Sequence, residues 1–271
     1  MNKAFINSKV IIGIVLVLMI PFFAMIVFSF SNNGIIGFKE LAIPVRLKEV
    51  STICLRSIIV SCIASLIAYF ISYLLVIYTS NKFQIIFLIL ITLPFIANEA
   101  VRVFSWQNIL AENGLLNHLL SLVCNRNITL FNSSNGFNIY LTMILTCIPY
   151  AVFICTATLK IIPDEYWKVS NDLRLNQVCK FIKVGLPMSI TSILASVIIT
   201  FFISFALSSE VNFLGGATKI STRGFILSLM SANRFDAIFA FGFIILALIT
   251  LFYLSLLFYL RVKKTINFEV D

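Results

Sequence analysis

Six long apolar runs constrain this chain more than any other feature of its sequence. They cover residues 10–30, 57–78, 83–104, 137–159, 188–208 and 237–260. Each is long enough to cross the hydrocarbon core as a helix, which takes about 20 residues. In lipid every backbone N–H and C=O needs an internal partner, and these runs lack the alternation of barrel strands. The sequence therefore predicts an all-α polytopic membrane protein with six transmembrane helices, forming one domain over residues 1–271.

The composition excludes several other classes of protein. Of the 271 residues, 60% are hydrophobic and only 11% are charged, whereas soluble domains have about 25% charged residues. The net charge of +9 comes without a basic stripe, so we expect no nucleic-acid partner. The six cysteines form no C-x-x-C pair and His118 is the single histidine, so we expect no metal site. A G-x-x-x-x-G-K-[S/T] phosphate loop is absent from the sequence, which predicts that this chain does not hydrolyse ATP by itself.

Basic residues indicate how the chain lies in the membrane. Of the 20 lysines and arginines, 11 fall in residues 1–9, 79–82, 160–187 and 261–271, which are the shorter connections and the ends. Loops rich in Lys and Arg stay in the cytosol. The sequence therefore predicts that both termini and the 160–187 loop are cytosolic.

The 160–187 loop has a helical pattern. Pro163 suits a first helical turn, and Asp164 and Glu165 complement the positive end of the helix dipole. Residues at helical spacing then form two apolar faces. These are Tyr166, Trp167, Ser170 and Leu173, then Leu175, Val178, Phe181, Ile182 and Gly185. Two such helices can lie at the lipid interface, or they can be gripped by a cytosolic partner that binds a helix in a groove.

The run from Leu145 to Pro187 resembles the signature region of permease subunits of binding-protein-dependent ABC importers. The matching positions are Pro149, Tyr150, Leu159, Ile162, Pro163, Lys168, Val169, Ser170, Asp172, Leu173, Arg174, Val184, Leu186 and Pro187. The family's Glu-Ala-Ala is replaced here by Lys168–Ser170, and its turn glycine by Arg174. Arg enters a left-handed turn at a cost of about 1 kcal/mol relative to Gly. We therefore expect either a differently built turn or weaker coupling to an ATPase.

Two further segments are similar to the spermidine/putrescine type within that family. Their matching residues are Pro94, Phe95, Arg102, Trp106, Asn113, Gly114, Leu115, Leu116, Asn117, Gly215 and Gly216. Where that type commonly has an acidic residue, this chain has Leu207, with Glu210 nearby. The resemblance implies a type I importer permease whose loop docks an ATPase. The implied docking residues are Pro163, Asp164, Glu165, Tyr166, Trp167, Lys168, Val169, Ser170, Asp172, Leu173, Arg174 and Pro187.

The resemblance also implies partners and a location. The partners are a cytosolic ABC ATPase dimer that carries the ATP, a second permease subunit of a different kind, and an extracytoplasmic substrate-binding protein. The location is the lipid bilayer of a bacterial inner membrane. No cofactor is implied on this chain.

Few ionisable residues fall inside or next to the apolar runs, and such residues mark a pathway or a structural pair. Glu99 and Arg102 are three residues apart, so on a helix they can pair with each other. A polyamine would be bound by carboxylates and aromatic faces. The candidate pathway is Glu99, Arg102, Trp106, Glu210 and Asp236. For Glu210 and Asp236 the alternative is an ordinary solvated loop charge.

The sequence thus predicts a permease subunit of an ABC importer that transports polyamines. The same machinery with another substrate, such as thiamine, phosphonate or ferric iron, stays open. A stand-alone secondary transporter is a further alternative, although it would favour inverted repeats and charges in mid-membrane.

Overall fold

The computed structural model describes residues 19–30, 36–96, 98–124, 136–215 and 220–268, and every regular element in these ranges is a helix. The helices are α1 (Met19–Phe30), α2 (Ile36–Leu41), α3 (Pro44–Tyr78), α4 (Asn81–Ile96), α5 (Glu99–Ile109), α6 (Leu115–Cys124), α7 (Gly136–Leu159), α8 (Asp164–Asp172), α9 (Gln177–Lys180), α10 (Leu186–Ala206), α11 (Ser209–Gly215), α12 (Thr222–Ser231) and α13 (Phe235–Phe268). A π-helical turn, Phe181–Gly185, joins α9 to α10.

Four helical stretches in the described ranges are long and apolar enough to cross a membrane. They are α3, α7, the continuous run Gln177–Ala206 and the Phe235–Phe252 part of α13. Helices α1 and α4 are also apolar but shorter. Residues 10–18 of the first predicted span lie outside the described residues. The predicted all-α polytopic membrane fold is confirmed.

The predicted third span, residues 83–104, is wrong as one unbroken helix. Helix α4 ends at Ile96 and α5 begins at Glu99. Asn98 caps the new helix, because its side-chain oxygen accepts a 3.0 Å hydrogen bond from the N–H of Ala100. Asn is among the preferred N-cap residues. An N-cap residue inside an apolar run therefore marks a break between two helices that hydropathy alone does not reveal.

The predicted fifth span, residues 188–208, is longer at its beginning. Helix α9 passes through the π turn into α10, so that one helical run extends from Gln177 to Ala206. Gly185 lies in this turn, and a Cβ there would come within 3.0 Å of the Tyr73 ring. The absence of a side chain at Gly185 therefore lets this run approach α3 closely.

The described helices group into two units, Met1–Val50 with Phe225–Asp271, and Ser51–Gly224. In the first unit, aromatic rings join α1 to α13, with Phe28 stacked on Phe239 at 5.3 Å between centroids. The Glu40 carboxylate of α2 forms ion pairs with the guanidinium groups of Arg46 at 2.5 Å and of Arg234 at 2.7 Å. The single domain predicted over residues 1–271 stays a prediction.

In the second unit, α3, α7 and α10 pack through small polar side chains. Ser65 of α3 shares a 3.2 Å hydrogen bond with Thr200 of α10. Ser72 of α3 accepts a 3.1 Å hydrogen bond from Thr156 of α7 and donates to the carbonyl of Val152 at 3.2 Å. Membrane helices associate through small residues because these let the backbones approach and offer hydrogen bonds between helices.

Candidate functional site

Helix α8 forms where the loop pattern predicts it. It begins at Asp164, directly after Pro163, and ends at Asp172. The second predicted helix begins at Gln177, whose N–H donates a 2.7 Å hydrogen bond to the side-chain oxygen of Asn176. The loop is therefore an ordered pair of helices between α7 and α10.

An aromatic cluster anchors this loop on α3. Trp167 of α8 meets the Tyr73 ring edge-on at 6.0 Å, and Phe181 of the π turn meets Tyr73 at 4.8 Å and Tyr69 at 5.5 Å. Ser170 is also buried, and its hydroxyl donates to the carbonyl of Trp167 at 2.7 Å. Trp167 and Ser170 are thus the inward face of α8.

The exposed side of α8 and the turn that ends it carry three large apolar side chains among charged ones. Tyr166, Val169 and Leu173 are 48%, 56% and 67% exposed. The predicted face of Tyr166, Trp167, Ser170 and Leu173 is therefore wrong, because the helix splits these residues between its two sides. In the second predicted face, likewise, Phe181 packs inward whereas Val178 and Ile182 are exposed. Of the other implied docking residues, the exposed ones are Pro163, Glu165, Lys168, Asp172, Arg174 and Pro187, while the surroundings of the Asp164 side chain lie outside the described residues.

Arg174 adopts the left-handed conformation that the family's glycine would adopt. Its φ is 47°. The N–H of Leu175 donates to the carbonyl of Ser170 at 3.3 Å, which is the long hydrogen bond of a Schellman helix end. Of the two expected alternatives, a differently built turn is therefore contradicted, because the helix-end hydrogen bond holds Arg174 in the left-handed conformation, which is unfavourable for its side chain. Weaker coupling to an ATPase stays a prediction.

A buried ion pair joins α5 to α11. Arg102 lies 3.3 Å from the Glu210 carboxylate, whose side chain is fully buried. Burial raises the pKa of Glu210 above its ordinary value, and the Glu99 charge raises it further, whereas a hydrogen bond with its own backbone and the Arg102 charge lower it. A solvated loop charge is thus the wrong interpretation for Glu210. The sequence spacing favours Glu99 as the partner of Arg102, whereas in the structure Arg102 forms its ion pair with Glu210.

The remaining pathway candidates are spread over both units. Glu99 is exposed at the start of α5, and Trp106 is half-buried further along the same helix. Asp236 belongs to the first unit, where its backbone touches α2 so closely that a Cβ on Gly37 would lie 2.3 Å from its carbonyl oxygen. Arg234, two residues before Asp236 in the sequence, pairs with Glu40 instead.

Sequence reasoning missed two polar side chains that the fold buries. Arg56 of α3 donates a 3.0 Å hydrogen bond to the carbonyl of Ile220, and Gln84 of α4 is only 3% exposed. A polar residue inside the 83–104 run was the available signal for Gln84, and a basic residue directly before the 57–78 run was the signal for Arg56. The partner of Arg56 lies 164 residues away, and the carbonyl partners of Gln84 lie at the end of the preceding helix and in the turn after it, so helical spacing gave no way to find them.

The fold is that of membrane-spanning chains of ABC importers. In a crystal structure of a bacterial alginate ABC transporter in complex with an alginate pentasaccharide-bound periplasmic protein, one chain has a TM-score of 0.72 at 12% identity, covering 94% of this chain and 93% of that one. A second structure, of a bacterial ABC transporter involved in the import of alginate, gives 0.67 at 13% identity over 98% and 96% of the two chains. At these identities the likeness shows the fold.

Three curated proteins are similar in sequence. The spermidine/putrescine transport system permease protein PotB of Haemophilus influenzae is 24% identical over 70% of this chain and 66% of its own length. A PotB homolog of Mycoplasma pneumoniae is 33% identical over 40% of each protein. The inner membrane ABC transporter permease protein YdcU of Escherichia coli is 30% identical over 46% of this chain and 43% of its own length. No family model matches the chain.

These comparisons confirm the resemblance to ABC importer permeases, including relatives of the spermidine/putrescine type. With its long apolar helices, the chain is a multi-pass membrane protein. It spans just under two thirds of the first relative's length and less than half of the other two.

Proposed function

We propose that this chain is a permease subunit of an ABC importer and forms part of the pathway for polyamines. A separate cytosolic ATPase dimer binds the ATP and supplies the energy, a second permease completes the pathway, and an extracytoplasmic protein delivers the substrate. The observation that carries the proposal is α8, which lies in the segment resembling the importer signature and presents Tyr166, Val169 and Leu173 outward.

The outward face of α8 suits a helix-in-groove contact with the ATPase. Tyr166, Val169 and Leu173 are at positions i, i+3 and i+7. Apolar residues at this spacing are the anchors of an amphipathic helix that binds in a groove. Trp167 holds the opposite face on Tyr73 of α3. A displacement of the docked helix would therefore be transmitted to the spans through this aromatic contact. Because the ATPase is cytosolic, this proposal places the 160–187 loop and both termini of the chain on the cytosolic side of the membrane.

The names of the relatives support polyamines as the substrate class. A polyamine carries several ammonium groups, which carboxylates and aromatic faces bind. Glu99 is the exposed carboxylate nearest in sequence to the Arg102–Glu210 pair, and its charge acts on Glu210. In this proposal Glu99 meets the passing ammonium, Trp106 on the same helix offers an aromatic face, and Arg102 neutralises the buried Glu210. Asp236 is a separate candidate on the other unit.

The test uses the chain expressed with its ATPase, second permease and binding protein. Val169→Asp/Leu173→Asp places two charges on the docking face, so we expect the ATPase to be lost on purification and uptake of labelled spermidine to fall at least tenfold. Leu119→Asp/Leu122→Asp is the matched control, because it adds the same two charges at exposed leucines of α6. The control is expected to retain both properties. Normal ATPase recovery and uptake in the double variant would exclude docking through this face.

The substrate arm of the same experiment uses Glu99→Gln, with Glu112→Gln as an exposed control carboxylate. We expect Glu99→Gln to raise the KM for spermidine several-fold and Glu112→Gln to leave it unchanged. Uptake that thiamine or a phosphonate inhibits, and that spermidine and putrescine do not, would reject polyamines while retaining the importer assignment.

A further inference from the structure

A cavity of about 800 Å³ lies on the inward side of the 160–187 loop, which we call the docking loop. Residues of α3, α4, α8 and α9, and the end of α7, line it. Trp167 and Ser170 of α8 belong to its wall, whereas the outward residues Tyr166, Val169 and Leu173 do not. The cavity is thus separate from the proposed ATPase contact.

Gln84 gives the wall a buried hydrogen-bond acceptor. Its side-chain nitrogen donates to the carbonyls of Leu75 at 3.2 Å and of Thr79 at 3.0 Å, which fixes the orientation of the amide. The residue is 3% exposed, and its Oε1 has no hydrogen-bond partner in the part of the chain that the structure describes. Buried polar atoms are almost always hydrogen-bonded. A ligand in this cavity would therefore bring a donor.

The charge of the lining favours an anion. Lys160 directly follows α7, Lys180 ends α9, and both line the cavity. Acidic side chains are absent from its lining among the described residues. A phosphodiester is an anion that two lysines can bind together, and basic pockets between membrane helices bind anionic lipid headgroups.

One wall of the cavity continues into an exposed apolar surface. Ile85 lines the cavity and is 56% exposed, and the exposed residues Ile86, Ile89 and Leu90 follow on the same helix, α4. After Gln84, the helix carries apolar side chains except at Thr92. The surface provides a track for acyl chains beside a polar, cationic recess, which favours a membrane lipid over a water-soluble phosphate ester.

We propose that the cavity binds the headgroup of phosphatidylglycerol. The phosphodiester contacts Lys160 and Lys180, a glycerol hydroxyl donates to Oε1 of Gln84, and the acyl chains lie along α4. An ethanolamine headgroup fits less well, because its ammonium would stand beside two lysines. The site is independent of the transported substrate and places a lipid directly behind the docking helix.

The experiment uses Trp167 as the probe, since this side chain lines the cavity. In a Trp106→Phe background Trp167 is the single tryptophan of the chain. The purified full chain in detergent is titrated with short-chain phosphatidylglycerol, phosphatidylcholine and phosphatidylmethanol. We expect phosphatidylglycerol to shift the Trp167 emission at about tenfold lower concentration than phosphatidylcholine. Phosphatidylmethanol, which has the same charge but no hydroxyl donor, should bind about fivefold more weakly than phosphatidylglycerol.

Two double variants with the same change in net charge separate the cavity from the surrounding loop. Lys160→Gln/Lys180→Gln should weaken phosphatidylglycerol binding about tenfold. Lys168→Gln/Lys183→Gln alters exposed lysines outside the lining and should bind normally. Thermal midpoints without lipid identify any variant that is misfolded, and the single Lys160→Gln and Lys168→Gln variants then replace the double ones.

Three outcomes would overturn the proposal. Equal curves for phosphatidylglycerol and phosphatidylcholine would exclude an anionic headgroup site, and equal losses in the two double variants would exclude these two lysines. A full emission shift with soluble glycerol 3-phosphate would assign the site to a free phosphate ester. Because each measurement is made on the isolated chain, a failed uptake assay would not affect it.

Discussion

At the scale of single residues, the most consequential feature is a carboxylate that the sequence presents as an ordinary loop charge. Glu210 follows the apolar run of α10 by four residues, and the fold buries it completely against Arg102. Position along the chain could not predict this, because the pairing connects helices 108 residues apart. Local spacing favoured Glu99, which is three residues from Arg102 but is exposed.

We expect Arg102→Met to destabilise the chain by about 3–5 kcal/mol, because it leaves the Glu210 charge buried without its partner. Arg102→Met/Glu210→Met removes both charges and should lose much less. The thermal inactivation midpoint in detergent measures both effects. Losses of equal size in the single and double variants would show that packing around Arg102, rather than its charge, stabilises this region.

The same pair makes stability depend on pH. The raised pKa of Glu210 means that the folded chain retains a proton which the unfolded chain releases, so stability falls as the pH rises above the ordinary value of 4.5. Acidification from about pH 7 to 5 should therefore stabilise the Arg102→Met variant relative to Arg102→Met/Glu210→Met. The difference between their inactivation midpoints at the two pH values tests this sign.

At the scale of helices, apolar length predicts the spans well, and local end signals determine where they stop. Hydropathy predicts α7 and the end of α3 closely, since long apolar runs have no other low-energy state in lipid, but α3 begins at Pro44, well before the predicted residue 57. It misses the break before α5 because the few polar residues around Asn98 do not outweigh the apolar ones on either side. It misses the extension of α10 because the polar loop helix α9 continues into it. The sequence predicts the two helices of the 160–187 loop, but it does not predict which side of each helix is buried. Tyr166 and Trp167 are both large aromatic residues, and the contact of Trp167 with Tyr73 decides which of them turns inward.

The backbone of the turn between α8 and α9 is strained at Arg174, and this strain can be measured. Arg174→Gly should stabilise the chain by about 1 kcal/mol, because glycine adopts the left-handed conformation without a side-chain clash. That corresponds to a rise of about 2–4 °C in the inactivation midpoint for a chain of this size. Lys168→Gly is the control, since glycine inside α8 should lower the midpoint by a similar amount. A lower midpoint for Arg174→Gly would mean that the arginine side chain makes a stabilising contact.

At the scale of the whole molecule, the predicted orientation can be measured by cysteine accessibility. In a chain lacking its native cysteines, a membrane-impermeant maleimide should label Leu122→Cys in intact cells and label Lys168→Cys only after permeabilisation. Both positions are exposed, so access to the reagent depends on the side of the membrane. Cys147 restored alone is fully buried and should remain unlabelled throughout. Labelling of Lys168→Cys in intact cells would reverse the topology.

The helical run from Gln177 to Ala206 has a mechanical consequence. Its 30 residues form one rod about 45 Å long, with a single π turn near one end. Phe181 holds the rod on α3 near its loop end through Tyr73, and Thr200 holds it near its other end through Ser65. A sideways push at Val178 would therefore move α3 together with the rod as one stiff pair, without any helix having to bend or unwind.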